Sequence, residues 1–406
     1  MDESDGEVPA LAAWVFEVAK GIGMFFLHPL FYIGWFYAVY LGYRRVKRER
    51  KDFHVRVQDG WFEFRTYLSK GILPGVLISL VVFAAGAYSS FSFPAAAFFA
   101  TLLFSLFLNP AWLSPAFTAG TAFFLLYFLQ IYHAEIPYLN RWLSFEPDGT
   151  LPTVSFLLAL LLLAESYLLF KDAAYRTSPR IIRSPRGLNV GVHESRRLWL
   201  VPLVLILPGG NLHLPLDFWP LLPFPNEDFS LLLIPYWIGF SRQIRTDLPA
   251  AAVSATAKRV LILGLIVSAL AIPGFWYPLW SAASAAAAVI GRLFIPLIQR
   301  MQDQNRPFYF SRSERGVKIL DIIPGSPAER MGLKIGELVT KVNGTPVNDD
   351  TGFYGALQKN MAYCRLEVVD HQGEVRLESG ALYEGEHHEL GILFVGKEKQ
   401  WMDHAG

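Results

Sequence analysis

The chain is poor in cysteine and in charged residues, and each shortage excludes a class of protein. Its 406 residues include one cysteine, Cys364, so no disulfide can form within the chain, and the C-terminal part fits a reducing compartment. Because Cys364 lies in an apolar run typical of a strand, we expect a buried core thiol. Charged residues make up 17% of the chain, against about 25% in soluble proteins, and the deficit lies in the first three-quarters. An ordinary soluble protein is therefore excluded.

Catalytic motifs are also lacking. An intramembrane zinc protease needs two histidines one helical turn apart beside a glutamate base, and both His-Glu pairs, His193-Glu194 and His388-Glu389, lack the second histidine. Walker-type and Gly-x-Gly-x-x-Gly loops are absent, and no domain remains for a Ser/His/Asp protease. No basic stripe with interleaved aromatic residues suggests nucleic-acid binding. We expect no enzymatic activity, no metal, no cofactor and no nucleic-acid partner.

Long apolar runs dominate the chain up to about residue 299. A bilayer core of about 30 Å needs roughly 20 apolar residues per helix. The predicted spans are residues 23–43, 72–91, 112–132 and 151–170, a shorter run at 93–108, and a late pair at 260–276 and 279–298. Two further runs, 198–208 and 229–240, are too short to span untilted, and predict either short spans or a re-entrant pair. The sequence thus predicts a polytopic α-helical membrane domain of seven to nine apolar segments over 23–299, after an acidic, amphipathic N-terminus at 1–22.

The loops between these runs differ in charge. Residues 44–51 are strongly basic, and residues 171–197 hold seven Lys or Arg against two acids, whereas loops 133–150 and 209–228 are poor in basic residues. Positive charge in short loops marks the cytoplasmic side. The alternation predicts an external N-terminus and a cytoplasmic C-terminal part. The basic clusters would also suit anionic lipids or acidic protein tails.

After a short linker at 300–307, residues 308–396 look like a water-soluble domain, followed by a tail at 397–406. Short β-branched runs alternate with two helical segments, which predicts a small α+β domain. The stretch 316–344 contains Gly-Val-Lys-Ile, then Pro-Gly-Ser-Pro-Ala-Glu, Gly-Leu, Gly-Glu and Val-Asn-Gly at PDZ-like spacing. Because of this sequence pattern, the domain is similar to bacterial PDZ domains.

The PDZ resemblance implies a peptide-binding site. PDZ domains add a partner's C-terminal strand to a sheet edge and hold its carboxylate with backbone N–H groups. Leu390-Gly391-Ile392 fits the carboxylate-binding triplet, and Phe353 and Leu357 would line the facing helix. The alternative is that the triplet only closes the barrel and the domain is a plain docking surface.

Two ionisable residues lie within predicted spans, His28 and Glu165. Such residues are functional candidates by default. They could form a proton relay or an ion path, or they could make helix-packing hydrogen bonds, with His28 satisfying backbone groups at a kink before Pro29. We favour the packing interpretation because there are few such groups.

The N-terminal stretch 25–32, Phe-Phe-Leu-His-Pro-Leu-Phe-Tyr, followed by the basic stretch 43–51, resembles the MinJ family of cell-division topology determinants of rod-shaped Gram-positive bacteria. The resemblance implies a multi-pass, non-enzymatic scaffold of the bacterial cell membrane, located at poles and division septa. It would bridge the polar protein DivIVA and the ATPase MinD, which carries the FtsZ inhibitor MinC. Homo-oligomerisation stays open. The alternatives are a regulator of a membrane protease or secretion machine, and a small-solute transporter.

Overall fold

A computed structural model describes residues 4–133, 142–143, 149–214, 219–222, 228–359, 363–381 and 390–396. Its long helical part contains α1 (Ser4–Leu27), α2 (Pro29–Phe53), α3 (Phe62–Ser69), α4 (Ile72–Ala85), α5 (Ser92–Ser105), α6 (Pro115–Tyr132), α7 (Thr150–Leu168), α8 (Pro249–Ala271) and α9 (Pro278–Gln304). Three strands interrupt this series: β1 (Ser178–Arg183), β2 (Asn189–His213) and β3 (Asp228–Ile244). We call helices α1–α9 with these strands the membrane body. The predicted tail at 397–406 lies outside the described residues.

Fewer segments can cross a bilayer than the sequence predicts. In the described part of the chain, five helical stretches are long and apolar enough: Phe62–Ala85, Pro115–Tyr132, Thr150–Ala173, Pro249–Phe275 and Pro278–Gln304. Ala12–Leu27 and Pro29–Phe53, bent by 45°, give a sixth if they form one broken span. Helix α5, in the run predicted at 93–108, has 14 residues, or about 21 Å, and is too short. The polytopic helical membrane domain is confirmed, and its count of seven to nine segments is corrected to five or six.

The apolar runs at 198–208 and 229–240 are strands, so the prediction of short spans or a re-entrant helical pair is wrong. They belong to β2 and β3, which form one long antiparallel hairpin, with His193 opposite Ile244 and Pro208 opposite Phe229. Strand β1 pairs with the base of β2, giving the order β1-β2-β3. Helices bury most of both faces of the hairpin. Both faces are therefore apolar, and the alternation that marks a half-exposed strand is lost.

Helix α4 covers the edge of β2 that β1 leaves open. Gly71 and Gly75, one helical turn apart, approach the β2 backbone so closely that a Cβ on either would overlap a carbonyl oxygen. One turn further, Val204 N–H of β2 donates a hydrogen bond to Ser79 Oγ at 2.9 Å. An exposed strand edge is not tolerated in lipid, because its polar groups would lack partners. The small residues just before and within α4 thus allow a β-hairpin inside a helical membrane body.

The C-terminal residues form a second, smaller unit with a core of its own. It contains β4 (Val317–Lys318), β5 (Asp321–Ile322), α10 (Pro327–Arg330), β6 (Leu338–Val342), β7 (Thr345–Pro346), α11 (Asp350–Leu357), β8 (Tyr363–Val369), β9 (Val375–Ala381) and β10 (Ile392–Leu393). The main sheet has the order β4-β6-β8-β9 with β7 beside β6, and β5 pairs with β10. Cys364 is buried in this core, as predicted, and burial raises the pKa of its thiol to about 12. The predicted PDZ-like α+β domain is confirmed.

Candidate peptide-binding site

The open edge of β10 is the candidate site. Gly391 O accepts a hydrogen bond from Ile323 N–H, and Leu393 O accepts one from Leu320 N–H, both at 2.8 Å. Successive residues of a strand direct their backbone groups to opposite sides. Ile392, which lies between these two residues, therefore presents its N–H and C=O to the open edge. This is the kind of edge to which a PDZ domain adds a peptide strand.

The loop before β10 is held by its neighbours. Gly391 has a φ of +82°, and a Cβ there would also overlap the Ser326 side chain, so both the backbone and the space require glycine. Leu390 is fully buried, and its carbonyl accepts a hydrogen bond from Ala328 N–H at 3.0 Å. The structure therefore brings the predicted triplet Leu390, Gly391 and Ile392 together at a braced turn that leads into the open edge.

Helix α11 lies beside this edge, and Tyr354 contacts it. The Tyr354 hydroxyl donates a hydrogen bond to Ile392 O at 3.5 Å. Phe353 and Leu357, expected to line the groove, are 0% and 1% exposed and belong to the domain core, where the Phe353 ring lies 4.8 Å from that of Phe394. Sequence reasoning missed Tyr354 because it selected the apolar side chains of the helix. Its position directly after Phe353, with a hydroxyl group, was the available signal.

The PDZ-like domain contacts the base of the hairpin through backbone hydrogen bonds. Tyr309 N–H donates to Arg245 O, and Gly191 N–H donates to Phe310 O, both at 2.9 Å. Strand β3 pairs with β2 as far as Ile244, opposite His193. Beyond that point residues 309 and 310 take the position beside β2, with Phe310 opposite Gly191. We call this junction the dock. It comprises residues 309 and 310 with their backbone partners Gly191 and Arg245, and the neighbouring residues His193, Leu320 and Asp321. Because it is built from backbone pairing, it orients the PDZ-like domain relative to the membrane body.

A buried histidine completes one side of the dock. His193, at the base of β2, is fully buried, with Nε2 2.8 Å from Leu320 O and Nδ1 2.9 Å from Thr177 Oγ1. Its ring lies 5.0 Å from that of Phe310. Leu320 is also hydrogen-bonded to Leu393 beside the candidate site. The backbone at Leu320 therefore joins the membrane body, through His193, to the open edge of β10, through Leu393.

Asp321, the first residue of β5, is a buried acid in the same dock. It is 4% exposed, its Oδ1 accepts a hydrogen bond from Ile322 N–H at 2.7 Å, and its Oδ2 has no hydrogen-bond partner among the described residues. Burial, with a smaller contribution from the negative charge of Glu49 on α2, raises the pKa of Asp321 to about 8. The dock therefore favours the protonated acid.

The two ionisable residues predicted in spans both have packing partners. Glu165 is fully buried, with Oε1 3.0 Å from Arg292 Nη2, and its Oε2 accepts a hydrogen bond from the Ser114 hydroxyl at 2.6 Å. His28 Nδ1 accepts a hydrogen bond from Leu30 N–H at 3.3 Å, at the break between α1 and α2. Both contacts match the packing interpretation. Sequence reasoning missed Arg292. The usable signal was a basic residue within an apolar run, because its charge is opposite to that of Glu165 in another run.

The two His-Glu pairs considered as zinc ligands are His193-Glu194 and His388-Glu389. Glu194, beside His193, forms ion pairs with Arg48 and Arg196. In the part of the chain that the structure describes, no group of three or more His, Cys, Asp or Glu side chains is arranged to hold a metal ion. His388-Glu389 lies outside the described residues.

A body of apolar helices carrying a PDZ-like domain on one end defines a multi-pass membrane protein with a docked peptide-recognition module. Comparison with protein families supports the assignment of the recognition module, because the PDZ domain family matches residues 318–368. A match to the putative serine protease HhoA of Synechocystis, 35% identical over 51 residues, covers 13% of each chain. The protease likeness is thus confined to a short segment.

Relatives named as MinJ proteins match much more of the chain. The cell division topological determinant MinJ of Bacillus subtilis is 41% identical over 394 residues, which cover 95% of this chain and 97% of the relative. A probable MinJ of Lacticaseibacillus paracasei is 25% identical over 228 residues, 54% of this chain and 59% of the relative. The chain belongs to the MinJ family of cell division topological determinants.

Proposed function

We propose that the protein is a non-enzymatic membrane scaffold that places the division site by holding partner proteins at the membrane surface. The observation that carries this proposal is the dock, in which the backbone of residues 309 and 310 pairs with Gly191 and Arg245 at the end of the membrane body. A recognition domain oriented in this way presents its open edge at a constant height above the bilayer. Partners that are themselves at the membrane would meet it readily.

The partner-binding site in this proposal is the open edge of β10. Ile392 N–H and C=O would pair with the C-terminal strand of a partner, and the turn at Leu390 and Gly391 would hold its carboxylate. Tyr354 would turn away from Ile392 O, with Phe353 and Leu357 supporting the groove from beneath. The support is the backbone pattern around β10 and the left-handed φ of Gly391.

The partners in this proposal are those implied by the family resemblance: a DivIVA-like protein at poles and septa, and a MinD-like ATPase with its FtsZ inhibitor. The PDZ-like domain would lie in the cytoplasm. What supports this orientation is the crowding of basic residues at the end of the membrane body that carries the dock, among them Arg48, Arg196, Arg242 and Arg245.

The test is complementation in a Bacillus subtilis strain that lacks its own MinJ. The full chain with a fluorescent tag should concentrate at septa and poles and restore division at mid-cell. A chain ending before Pro307 should keep its membrane signal and fail to restore division. Uniform membrane fluorescence of the full chain with persistent polar division would overturn the proposal.

The peptide edge has a separate test within the same strain. Gly391→Ala introduces a Cβ at a positive φ and against Ser326, so it should abolish capture of division proteins in membrane pull-downs. Gly355→Ala on α11 is the matched control, because open space surrounds that position. If both variants capture the same partners as the wild type, the PDZ-like domain is a plain docking surface. Capture of protease substrates without division proteins would favour the protease-regulator alternative.

A further inference from the structure

A basic cleft lies where the membrane body meets the segment that leads to the PDZ-like domain. Its volume is about 550 Å³, and it is enclosed by the end of α9, the base of β3 and the residues that follow each of them. Asp303 is the one acidic residue among its described lining residues. The basic residues that line it are Arg242, Arg245, Arg300 and Arg306.

Asp247 and Asp303 offset part of the positive charge of these four arginines, and a surplus of positive charge remains in the cleft. Arg306 pairs with Asp247 at 3.2 Å. Among the described residues, Arg242, Arg245 and Arg300 have no carboxylate at ion-pair distance. Arg245 donates to the uncharged Gln243 Oε1 at 2.7 Å. The cleft therefore carries a surplus of guanidinium groups, which are the side chains best suited to bind phosphate oxygens in pairs.

The partners of the other cleft residues leave this surplus in place. Arg242 donates to Ala252 O at 2.6 Å, and Asp303 Oδ1 accepts a hydrogen bond from the Thr246 hydroxyl at 2.8 Å. The Arg300 side chain is exposed and makes no hydrogen bond to any residue that the structure describes. Arg242 is thus fixed by the body, whereas Arg245 and Arg300 are the exposed groups that a ligand could engage.

The cleft opens beside a lipid-facing surface. Pro296 of α9 lines it, and the same helix exposes a row of large apolar side chains over its last turns. These are Leu293, Phe294, Leu297, Ile298 and Met301, each more than 40% exposed. In a bilayer such a surface contacts acyl chains, so the cleft at its end lies at the height of the headgroups. A phospholipid could place its phosphate in the cleft and its chains along α9.

We propose that this cleft binds the phosphate of an anionic glycerophospholipid. Basic pockets between spanning helices are suited to such headgroups, since a lipid phosphate at this height cannot diffuse away from the surface. Arg306 and Phe308 line the same cleft, and Phe308 directly precedes Tyr309 of the dock. Bound lipid would neutralise the guanidinium cluster and strengthen the dock. This inference concerns lipid and does not depend on peptide binding or on the proposed partners.

The test uses the full chain, purified in detergent and stripped of lipid. Dioleoylphosphatidylglycerol, dioleoylphosphatidylcholine and water-soluble glycerol 3-phosphate are each titrated, and binding is followed by native mass spectrometry and by the midpoint of thermal unfolding. We expect the phosphatidylglycerol to bind and raise the midpoint, with at least about tenfold weaker binding of the other two. Removing two arginines in Arg245→Gln/Arg300→Gln should weaken phosphatidylglycerol binding roughly 20- to 30-fold, at about fivefold for each charge.

The matched control is Lys47→Gln/Lys258→Gln, which removes two exposed charges that do not line the cleft. It should change binding less than about twofold. Arg300→Gln alone serves as a second variant if the double variant folds poorly. An equal loss in both double variants, or equal binding of the two lipids, would overturn the proposal. Binding of glycerol 3-phosphate as tight as that of the lipid would overturn the lipid as the source of the phosphate.

Discussion

Two buried carboxylates, one in the membrane body and one in the dock, are held in opposite ways. Glu165 has a guanidinium partner in Arg292 and a hydroxyl partner in Ser114. Asp321 has one backbone hydrogen bond, an oxygen without a described partner, and Glu49 as a neighbour of like charge. A buried charge is tolerated when it is paired and hydrogen-bonded, and otherwise it favours its neutral form. The polar network around Glu165 is therefore complete, whereas the one around Asp321 depends on a proton.

This contrast indicates which part of the molecule can change. Breaking the Glu165 network leaves an uncompensated charge in the interior. The dock instead joins the base of the hairpin, through His193 and Leu320, to the edge of β10. A change in the protonation of Asp321 therefore acts on the strand that carries the candidate peptide site. The following predictions begin with the largest expected effect.

Breaking the complete network should have the largest effect. Arg292→Leu leaves Glu165 buried without its cation and should lower the free energy of unfolding by roughly 3–5 kcal/mol. Unfolding of the full chain in mixed micelles with increasing dodecyl sulfate measures this. Because the double variant Glu165→Leu/Arg292→Leu removes both charges, it should recover much of the loss. A double variant as unstable as the single one would show that the pair is not what Arg292 contributes.

Asp321 should make the dock pH-dependent in one direction. Its pKa of about 8 in the folded state lies above the unfolded value near 4, so the folded state keeps a proton that the unfolded state has lost. Stability contributed by this group is present at low pH and is lost as the pH rises through 8. Between pH 6 and pH 8 we expect a loss of roughly 2–3 kcal/mol, and Asp321→Asn should abolish it.

Thermal unfolding and hydrogen exchange of the β5 amides, both measured across pH 5 to 9, check the effect of Asp321. Asp370→Asn is the control, because the pKa of this exposed carboxyl is lowered by backbone N–H groups around it and it does not titrate between pH 6 and pH 8. It should keep the wild-type slope. A slope that survives in Asp321→Asn would assign the pH dependence to another group.

Filling the space at Gly191 should weaken the dock while leaving the membrane body intact. A Cβ there would lie 2.5 Å from Leu320 Cδ1 and 2.9 Å from Phe310 Cβ. Gly191→Ala should cost about 1–3 kcal/mol and speed proteolysis at residues 305–308 in membrane vesicles. Gly60→Ala is the control, since its nearest neighbour would be 3.9 Å away. Equal proteolysis rates in the two variants would contradict the contact.

Freeing the β10 edge should have the smallest effect. Tyr354→Phe removes the hydroxyl that donates to Ile392 O, so binding of C-terminal peptides should tighten by about 2- to 10-fold, the range of one hydrogen bond. A library of peptides with free carboxylates, and the same peptides amidated, would measure this on the full chain. Tyr363→Phe, at an exposed position of β8, should leave affinity unchanged. Binding that ignores the carboxylate would count against the Leu390–Ile392 turn as its receptor.

Much of the fold could be predicted because its signals are local. The PDZ-like domain was predicted from turns and glycines that lie within one short stretch, and the helical membrane domain from runs of apolar residues. The hairpin could not be predicted in this way. A strand buried on both faces and a buried helix cannot be separated by periodicity, and the length of the run and its flanking residues must decide between them. The apolar runs at 198–208 and 229–240 are longer than a typical strand and too short for a helix that spans the bilayer.

The candidate site was predicted in part for the same reason. Gly391 could be selected because a carboxylate-binding turn needs glycine, whereas Tyr354 depends on how helix α11 is rotated against β10. The dock depends on Phe310 meeting Gly191 of β2, more than a hundred positions earlier in the chain. No local pattern reports such a meeting.

The sequence by itself determined the division of the chain into a lipid-facing part and a water-facing part, the burial of Cys364, and the glycine turn before β10. Each follows from the chemistry of neighbouring residues. Tertiary structure alone decided that β2 and β3 are strands whose edge is closed by Gly71 and Gly75. It also decided that Glu165 meets Arg292, 127 positions away, and that Asp321 meets no cation among the residues the structure describes. The physical reason is that burial, and the partners available to a buried polar group, exist only once distant segments have packed together.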